Sequence, residues 1–222
     1  MQPPPLPDNE TDRLRSLHEL DALTGWPTDA LDRIASLTAR CFRAPIATVT
    51  LVDAEQECYV GAHGMEPGSG DRRGSFCGYV VLDGGLLVVP DAATDERFRD
   101  NPRVRELGIR SYLGAAITSP DGYKVGALCI KDTRPRYFGE EDIRAMRLLA
   151  DMVSREFSLR ALNRRAEASQ ARAEESEARF RKLADESPMM VWMSGPDGGC
   201  DYFNRGWLEF TGRGMDEQVG GG

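Results

Sequence analysis

Residues 111–131 read SYLGAAITSPDGYKVGALCIK. Ser111 to Thr118 and Tyr123 to Lys131 are two strands, and Ser119-Pro120-Asp121-Gly122 joins them. Proline fixes φ and glycine supplies a positive φ, so this tetrapeptide is a turn. Working toward the N-terminus, Leu86 to Val89 is a further strand, and Asp91 to Val104 is a polar connection with a short helical turn. Ile46 to Asp53 is β-branched and nearly continuous in apolar character, as an inner strand is, and Gln56 to Gly61 is its hairpin partner. Residues 62–74 (AHGMEPGSGDRRG) read as loop, and Ser75 to Leu82 as a short helix.

Helices flank this strand-rich centre. A short one runs from Glu10 to about Leu23. Pro27-Thr28 opens a second, with Thr28 as its N-cap, and Ala44-Pro45 ends it. Leu31, Ile34, Ala35, Thr38, Cys41 and Phe42 line one face of that helix. Between Gly139 and Ser187 neither glycine nor proline interrupts the chain, which predicts one long helix. Its first stripe, Ile143, Met146, Ala150, Val153 and Phe157, is assigned to the preceding sheet. Its second runs Leu148, Met152, Arg155, Leu159, Leu162, Ala166, Ser169, Ala173, Ser176, Phe180 and Leu183. Those steps of four and three make a heptad seam with one charged intruder, and it predicts pairing with a second copy through the helix 143–183. A single solvated helix is the other reading. After Ser187-Pro188 come a strand from Met189 to Ser194, a turn at 195–199, a strand from Cys200 to Phe203 and a short helix from Asn204 to Phe210.

Composition narrows the function. Hydrophobic residues make up 41% and charged residues 29% of the 222, ordinary for a globular protein. A formal net charge of −8 argues against a broadly electrostatic nucleic-acid binder. No run of about 18 apolar residues is present, so no bilayer span is expected. The Pro-rich start has no Lys or Arg before Arg13 and no apolar h-region, unlike a signal peptide. Five cysteines at 41, 58, 77, 129 and 200 form no CxxC and no zinc spacing. An odd count without an export signal fits free thiols in a cytoplasmic protein. With only His18 and His63, a histidine-based triad or metal site has no material, and no metal ligands are assigned.

The span from about Asp12 to Leu159 resembles a GAF domain of bacterial sensor kinases and diguanylate cyclases. The resemblance runs through Pro45-Ile46-Ala47, Leu51-Val52-Asp53, Gly74-Ser75-Phe76-Cys77, Val89-Pro90-Asp91-Ala92 and Asp95-Glu96-Arg97-Phe98. It continues in Asn101-Pro102, Arg110-Ser111-Tyr112, Gly126-Ala127-Leu128-Cys129, Asp132 and Pro135-Arg136. It implies an α+β fold, an antiparallel sheet flanked by helices. Residues 177–222 resemble the start of a PAS domain, through Ser187-Pro188, Val191-Trp192-Met193, Asp197-Gly198, Tyr202-Phe203-Asn204 and Trp207 to Gly212. The organisation expected is a disordered tail at 1–11, the GAF domain at 12–160, a coiled-coil linker at 161–186 and an incomplete PAS-like α+β segment at 187–222.

The GAF resemblance implies a ligand cavity between the sheet and the helices on one face, lined around Cys77, Tyr79, Asp91, Tyr112 and Cys129. It names no ligand. Cys77 precedes Gly78 rather than a histidine, which argues against a bilin link, and His18 and His63 read as surface residues rather than haem ligands. Cys77 and Cys129 could be a redox pair if their Cα atoms lie within roughly 7 Å; packed, unreactive thiols are the plainer reading. Asp91, Asp95, Arg97 and Asp132 read as turn chemistry and solvated ion pairs rather than ligand anchors. No GxxxxGK loop, kinase ATP-lid glycines or GG(D/E)EF motif occurs, so no catalytic residues are assigned within the chain. The expectation is a sensory module, the N-terminal part of a GAF-PAS sensor histidine kinase of a phosphorelay, passing a ligand or redox signal through a dimeric helix. The alternatives are the sensor of a diguanylate cyclase or a small thiol redox enzyme.

Overall fold

The computed structural model describes residues 2–23, 28–82, 84–196 and 198–218. The chain divides into two units, Met1–Ala161 and Leu162–Gly222. The first holds one six-stranded sheet built from β1 (Ile46–Val52), β2 (Gln56–His63), β3 (Gly68–Asp71), β4 (Leu86–Val89), β5 (Ser111–Thr118) and β6 (Lys124–Asp132). Every pairing is antiparallel, in the order β3-β2-β1-β6-β5-β4. β1 and β6 are central, which is why both are apolar on two faces. The turn between β5 and β6 closes as the sequence predicts: Gly122 takes φ 86° and its N–H reaches the Ser119 carbonyl at 2.9 Å.

Helices α1 (Glu10–Glu19), α2 (Thr28–Phe42) and the N-terminal part of α5 (Glu140–Glu186) contribute to a single apolar core with one face of the sheet. Ala47, Val49 and Leu51 of β1 point into that core, with Leu113, Ala115 and Ile117 of β5. The intervening residues of both strands face the opposite side, as a two-residue period demands. In β6 the alternation slips once. A register shift opposite Ile117 and Thr118 bulges the strand at Val125, so Val125 and Leu128 serve one core and Ala127 and Cys129 the other. The opposite face is covered by α3 (Cys77–Val80), α4 (Pro102–Glu106) and the connection between β4 and β5.

Two expectations are corrected. Residues 62–74 are not all loop, because Gly68–Asp71 forms the edge strand β3 on β2. Gly-Ser-Gly-Asp carries no apolar alternation, so backbone pairing alone holds it and the side-chain pattern is silent. Cys41 is exposed, and Ala39 takes its place on the buried face of α2. Pro27 and the side chain of Thr28, read from sequence as the cap of α2, lie outside the described residues, as does part of the turn at 195–199.

Met146, Ala150, Val153 and Phe157 of α5 are buried against the sheet, as the first stripe predicts. Along the second stripe Leu148, Met152, Leu159, Leu162, Phe180 and Leu183 are exposed. Among the described residues no helix is long and apolar enough to cross a membrane.

The second unit holds the hairpin β7 (Trp192–Ser194) and β8 (Cys200–Phe203), followed by α6 (Arg205–Thr211). Fully buried Asn204 organises it. Its side-chain oxygen accepts from the N–H groups of Val191 and Trp207, and its amide donates to the carbonyls of Ala184 and Met189. Asn204→Ala removes an N-cap and strands these buried groups, at about 2 kcal/mol. Amide exchange at Val191 and Trp207 should then quicken by about thirtyfold; unchanged rates would refute this role.

Candidate functional site

On the face opposite α1, α2 and α5, three side chains converge on the middle of the sheet. Ser75 starts the local geometry, its hydroxyl accepting from the Gly78 N–H at 2.9 Å where α3 begins. This turn carries Cys77 inward. Its Sγ lies 3.8 Å from Sγ of Cys129 on β6 and 3.3 Å from Oη of Tyr112 on β5. Thr48, paired with Cys129 across β1 and β6, brings its Oγ1 within 3.1 Å of the Cys129 sulfur. Nζ of Lys131 donates to the same Thr48 oxygen at 3.4 Å. Cys77, Tyr112 and Cys129 are each no more than 1% exposed. Phe76 stacks on Tyr112 and on Phe98, at ring centroid distances of 5.1 and 4.1 Å. Side chains therefore fill the space between α3 and the sheet.

A second buried layer adjoins the first. The Glu57 side chain, wholly excluded from solvent, accepts from the Arg103 guanidinium, the Ser75 hydroxyl and, at 2.7 Å, the Tyr59 hydroxyl. The Lys131 ammonium sits 5.0 Å above the Tyr59 ring. Burial alone would raise the Glu57 carboxyl, but the charges of Arg103 and Lys131 and the two hydroxyls outweigh it and hold it below its ordinary value. Ser75 links the two layers, because its one hydroxyl serves both Glu57 and the backbone beneath Cys77.

The two thiols differ. Burial pushes the Cys129 thiol up, but the Cys77 S–H, the Lys131 charge and the Thr48 and Tyr112 hydroxyls together bring it down to about 6. Hydrogen bonding to Cys129, then burial, drives Cys77 well above its ordinary value. The surroundings thus favour the proton on Cys77 over Cys129. Burial above all also raises Tyr112, which stays a neutral phenol. Chemically the arrangement is a pair of buried cysteines with Sγ atoms 3.8 Å apart, beside the Thr48 hydroxyl on which Lys131 sits. Among the described residues no three His, Cys, Asp or Glu side chains come together as metal ligands.

The family described as the GAF domain matches residues 27–157. The chain belongs to the GAF-domain family. A cyclic di-GMP phosphodiesterase of Pseudomonas aeruginosa, PA2567, is 33% identical over 166 residues, which cover 73% of this chain and 28% of that protein. The chain thus spans little more than a quarter of that relative. An uncharacterized protein of Sinorhizobium fredii, y4lL, is 50% identical over 48 residues, 22% of this chain and 6% of its own. Among solved structures, a bacteriophytochrome of R. palustris superposes with a TM-score of 0.55 at 12% identity, over 84% of this chain and 44% of that one, a likeness of fold.

Within the GAF domain, the residues named from sequence separate into two groups. Cys77, Tyr112 and Cys129 are brought together. Tyr79 is half-buried beside them, its ring edge on Phe98 at 5.2 Å and its hydroxyl on the Gln2 carbonyl at 2.8 Å. Asp91 is engaged elsewhere, with both carboxylate oxygens on Arg110 at 2.8 and 2.6 Å. The bond to Arg110 first, and then the Ala93 N–H, hold its carboxyl below the ordinary value against the opposing effect of burial. Asp95 pairs with Arg97 at 2.7 Å and Asp132 with Arg136 at 3.3 Å. His18 meets Asp53 at 2.9 Å and His63 meets Ser36 at 3.2 Å. Thr48, Glu57, Ser75, Arg103 and Lys131 were not anticipated. The available signal was parity: Glu57 and Tyr59 alternate with Cys58 and Val60, so one face of β2 carries both polar groups.

Proposed function

We propose that this chain is the sensory and regulatory module of a bacterial signal-transduction protein, working in the cytoplasm as a dimer. The observation that carries this reading is the double use of α5. Its Met146, Ala150, Val153 and Phe157 belong to the core of the GAF sheet, while the same uninterrupted helix carries an exposed heptad seam. A change in the sheet is then also a change at the root of a helix built to pair. Two outputs fit. A sensor histidine kinase of a phosphorelay agrees with the GAF, helix and PAS-like order. The Pseudomonas relative favours a cyclic di-GMP enzyme.

Light scattering should give the mass of a dimer for the chain. Leu159→Glu with Leu162→Glu should shift it to monomer, because charges placed in an apolar contact cost several kcal/mol. A monomeric parent, or an unshifted mass, would sink the seam. The purified 222-residue chain should neither label itself from ATP nor turn over cyclic di-GMP; either activity would place catalysis inside it.

A further inference from the structure

We propose that Cys77 and Cys129 form a reversible intramolecular disulfide when the GAF domain meets a hydroperoxide, making the buried dithiol a peroxide-responsive site. This rests on the regulatory reading and names its signal. The sulfur atoms are 3.8 Å apart, and a disulfide needs about 2.05 Å, so closure asks for under about 2 Å of approach. The partners are suited to it. Cys129 sits on a central strand, whereas Cys77 sits on a four-residue helix. The small helix is the piece that can move.

The chemistry is that of a nucleophile and a resolving thiol. The Cys129 sulfur attacks the hydroperoxide, an S–O bond forms, the O–O bond breaks, and the departing alkoxide (hydroxide, for hydrogen peroxide) takes a solvent proton to become an alcohol (water). Cys77 then attacks the sulfenic sulfur. The S–S bond forms, the S–O bond breaks, and hydroxide leaves with the Cys77 proton as water. Two electrons pass from the two sulfurs to the peroxide oxygens. The Thr48 hydroxyl lies 3.1 Å from the first sulfur and carries Nζ of Lys131 at 3.4 Å, and Tyr112 Oη sits 3.3 Å from the second sulfur. Buried thiols in purely apolar surroundings are inert, and this pair is not in such surroundings.

The N-terminal segment covers α3. Residues 2–7 carry no helix or strand, yet Pro4 is buried. It lies over α3 so closely that a Cβ at Gly78 would come 2.6 Å from its Cγ. Tyr79 holds the neighbouring Gln2 carbonyl. Lifting this cover breaks few backbone hydrogen bonds, the kind of local opening that costs far less than unfolding. Closure of the disulfide would pull Cys77 from Tyr112 and disturb the Phe76 stack, directly beneath that cover.

The test uses the full chain with Cys41, Cys58 and Cys200 changed to serine, exposed to hydrogen peroxide, denatured, alkylated and mapped by mass spectrometry. The expected result is one crosslinked peptide pair, Cys77 with Cys129, abolished by dithiothreitol. Cys77→Ser should leave a sulfenic acid on Cys129 that dimedone traps. Should the serine variants not fold, the same mapping on the unaltered chain decides the question. Both thiols fully alkylated after a peroxide dose that oxidises free glutathione would overturn the proposal, as would a Cys77 crosslink to any other cysteine. Amide exchange across 143–157 separates this from the regulatory reading. A disulfide with unchanged exchange there supports the thiol chemistry and counts against the regulatory role, whereas no disulfide overturns the chemistry whatever the helix does.

Discussion

Glu57→Ala is expected to destabilise the GAF domain by about 3–5 kcal/mol, the cost of leaving a buried ion network without its anion. The carboxylate is wholly buried and is the shared acceptor for Arg103, Ser75 and Tyr59, with Lys131 close enough to help hold its pKa down. Removing it leaves the Arg103 guanidinium and the Ser75 and Tyr59 hydroxyls without their shared acceptor. Thermal unfolding should show a large drop in Tm. The pH dependence follows from the direction of the shift. The folded carboxyl titrates below its unfolded value of 4.5, so its contribution is complete above pH 4.5 and is lost as pH falls through the lower folded value. Glu10 adds to the same acid limb. Burial would raise it, but Arg13 and Arg72 hold it at about 2, so its share fades between pH 4.5 and 2. Glu57→Gln should therefore flatten the fall of Tm below pH 4.5 while lowering Tm at pH 7. A neutral-pH Tm equal to the parent's would mean that Glu57 is not the keystone described.

Gly61→Ala is expected to cost about 3 kcal/mol, the upper part of the range for overpacking. Gly61 lies on β2 opposite Val49, with Leu31 of α2 packed directly over it. A Cβ there would stand 2.6 Å from the Leu31 Cβ and 2.8 Å from the Leu31 carbonyl carbon. Leu31 is fully buried and the nearest atoms include backbone, so no rotamer relieves the clash. The helix must lift from the sheet, which opens the core it shares with α1 and α5. Gly68→Ala on β3 is the control: nothing lies within 4 Å of its added methyl, and stability should move by less than about 0.5 kcal/mol. Equal denaturation midpoints for the two variants would refute the close approach.

The elements with side-chain rhythm were readable from the amino-acid order. β1, β5 and β6 alternate between two apolar cores and so read as inner strands, and α5 declares itself by the spacing of Met146, Ala150, Val153 and Phe157. β3 was invisible because pairing of Gly68–Asp71 is a backbone event. At the site, Cys77, Tyr112 and Cys129 were reached through resemblance, and their closeness depends on the β5–β6 register and on Ser75 starting α3. Glu57 was missed because a lone carboxylate on a strand looks solvated until its counter-ion is known. Arg103 lies 46 residues further along, and no local pattern ties them. Asp91, placed at the cavity by resemblance and read from its own surroundings as turn and ion-pair chemistry, pairs with Arg110.

The five sulfurs also grade themselves by depth: Cys41 exposed, Cys58 and Cys200 half-buried, Cys77 and Cys129 sealed. A bulky maleimide applied briefly to the reduced protein would mark the shallow ones at once and the sealed pair only when the sheet parts from α3. Mass counting of labels against denaturant then separates events that circular dichroism blurs together, because each sulfur reports the opening of its own layer. The protein in this sense carries its own depth gauge, readable without attaching any foreign probe to the fold.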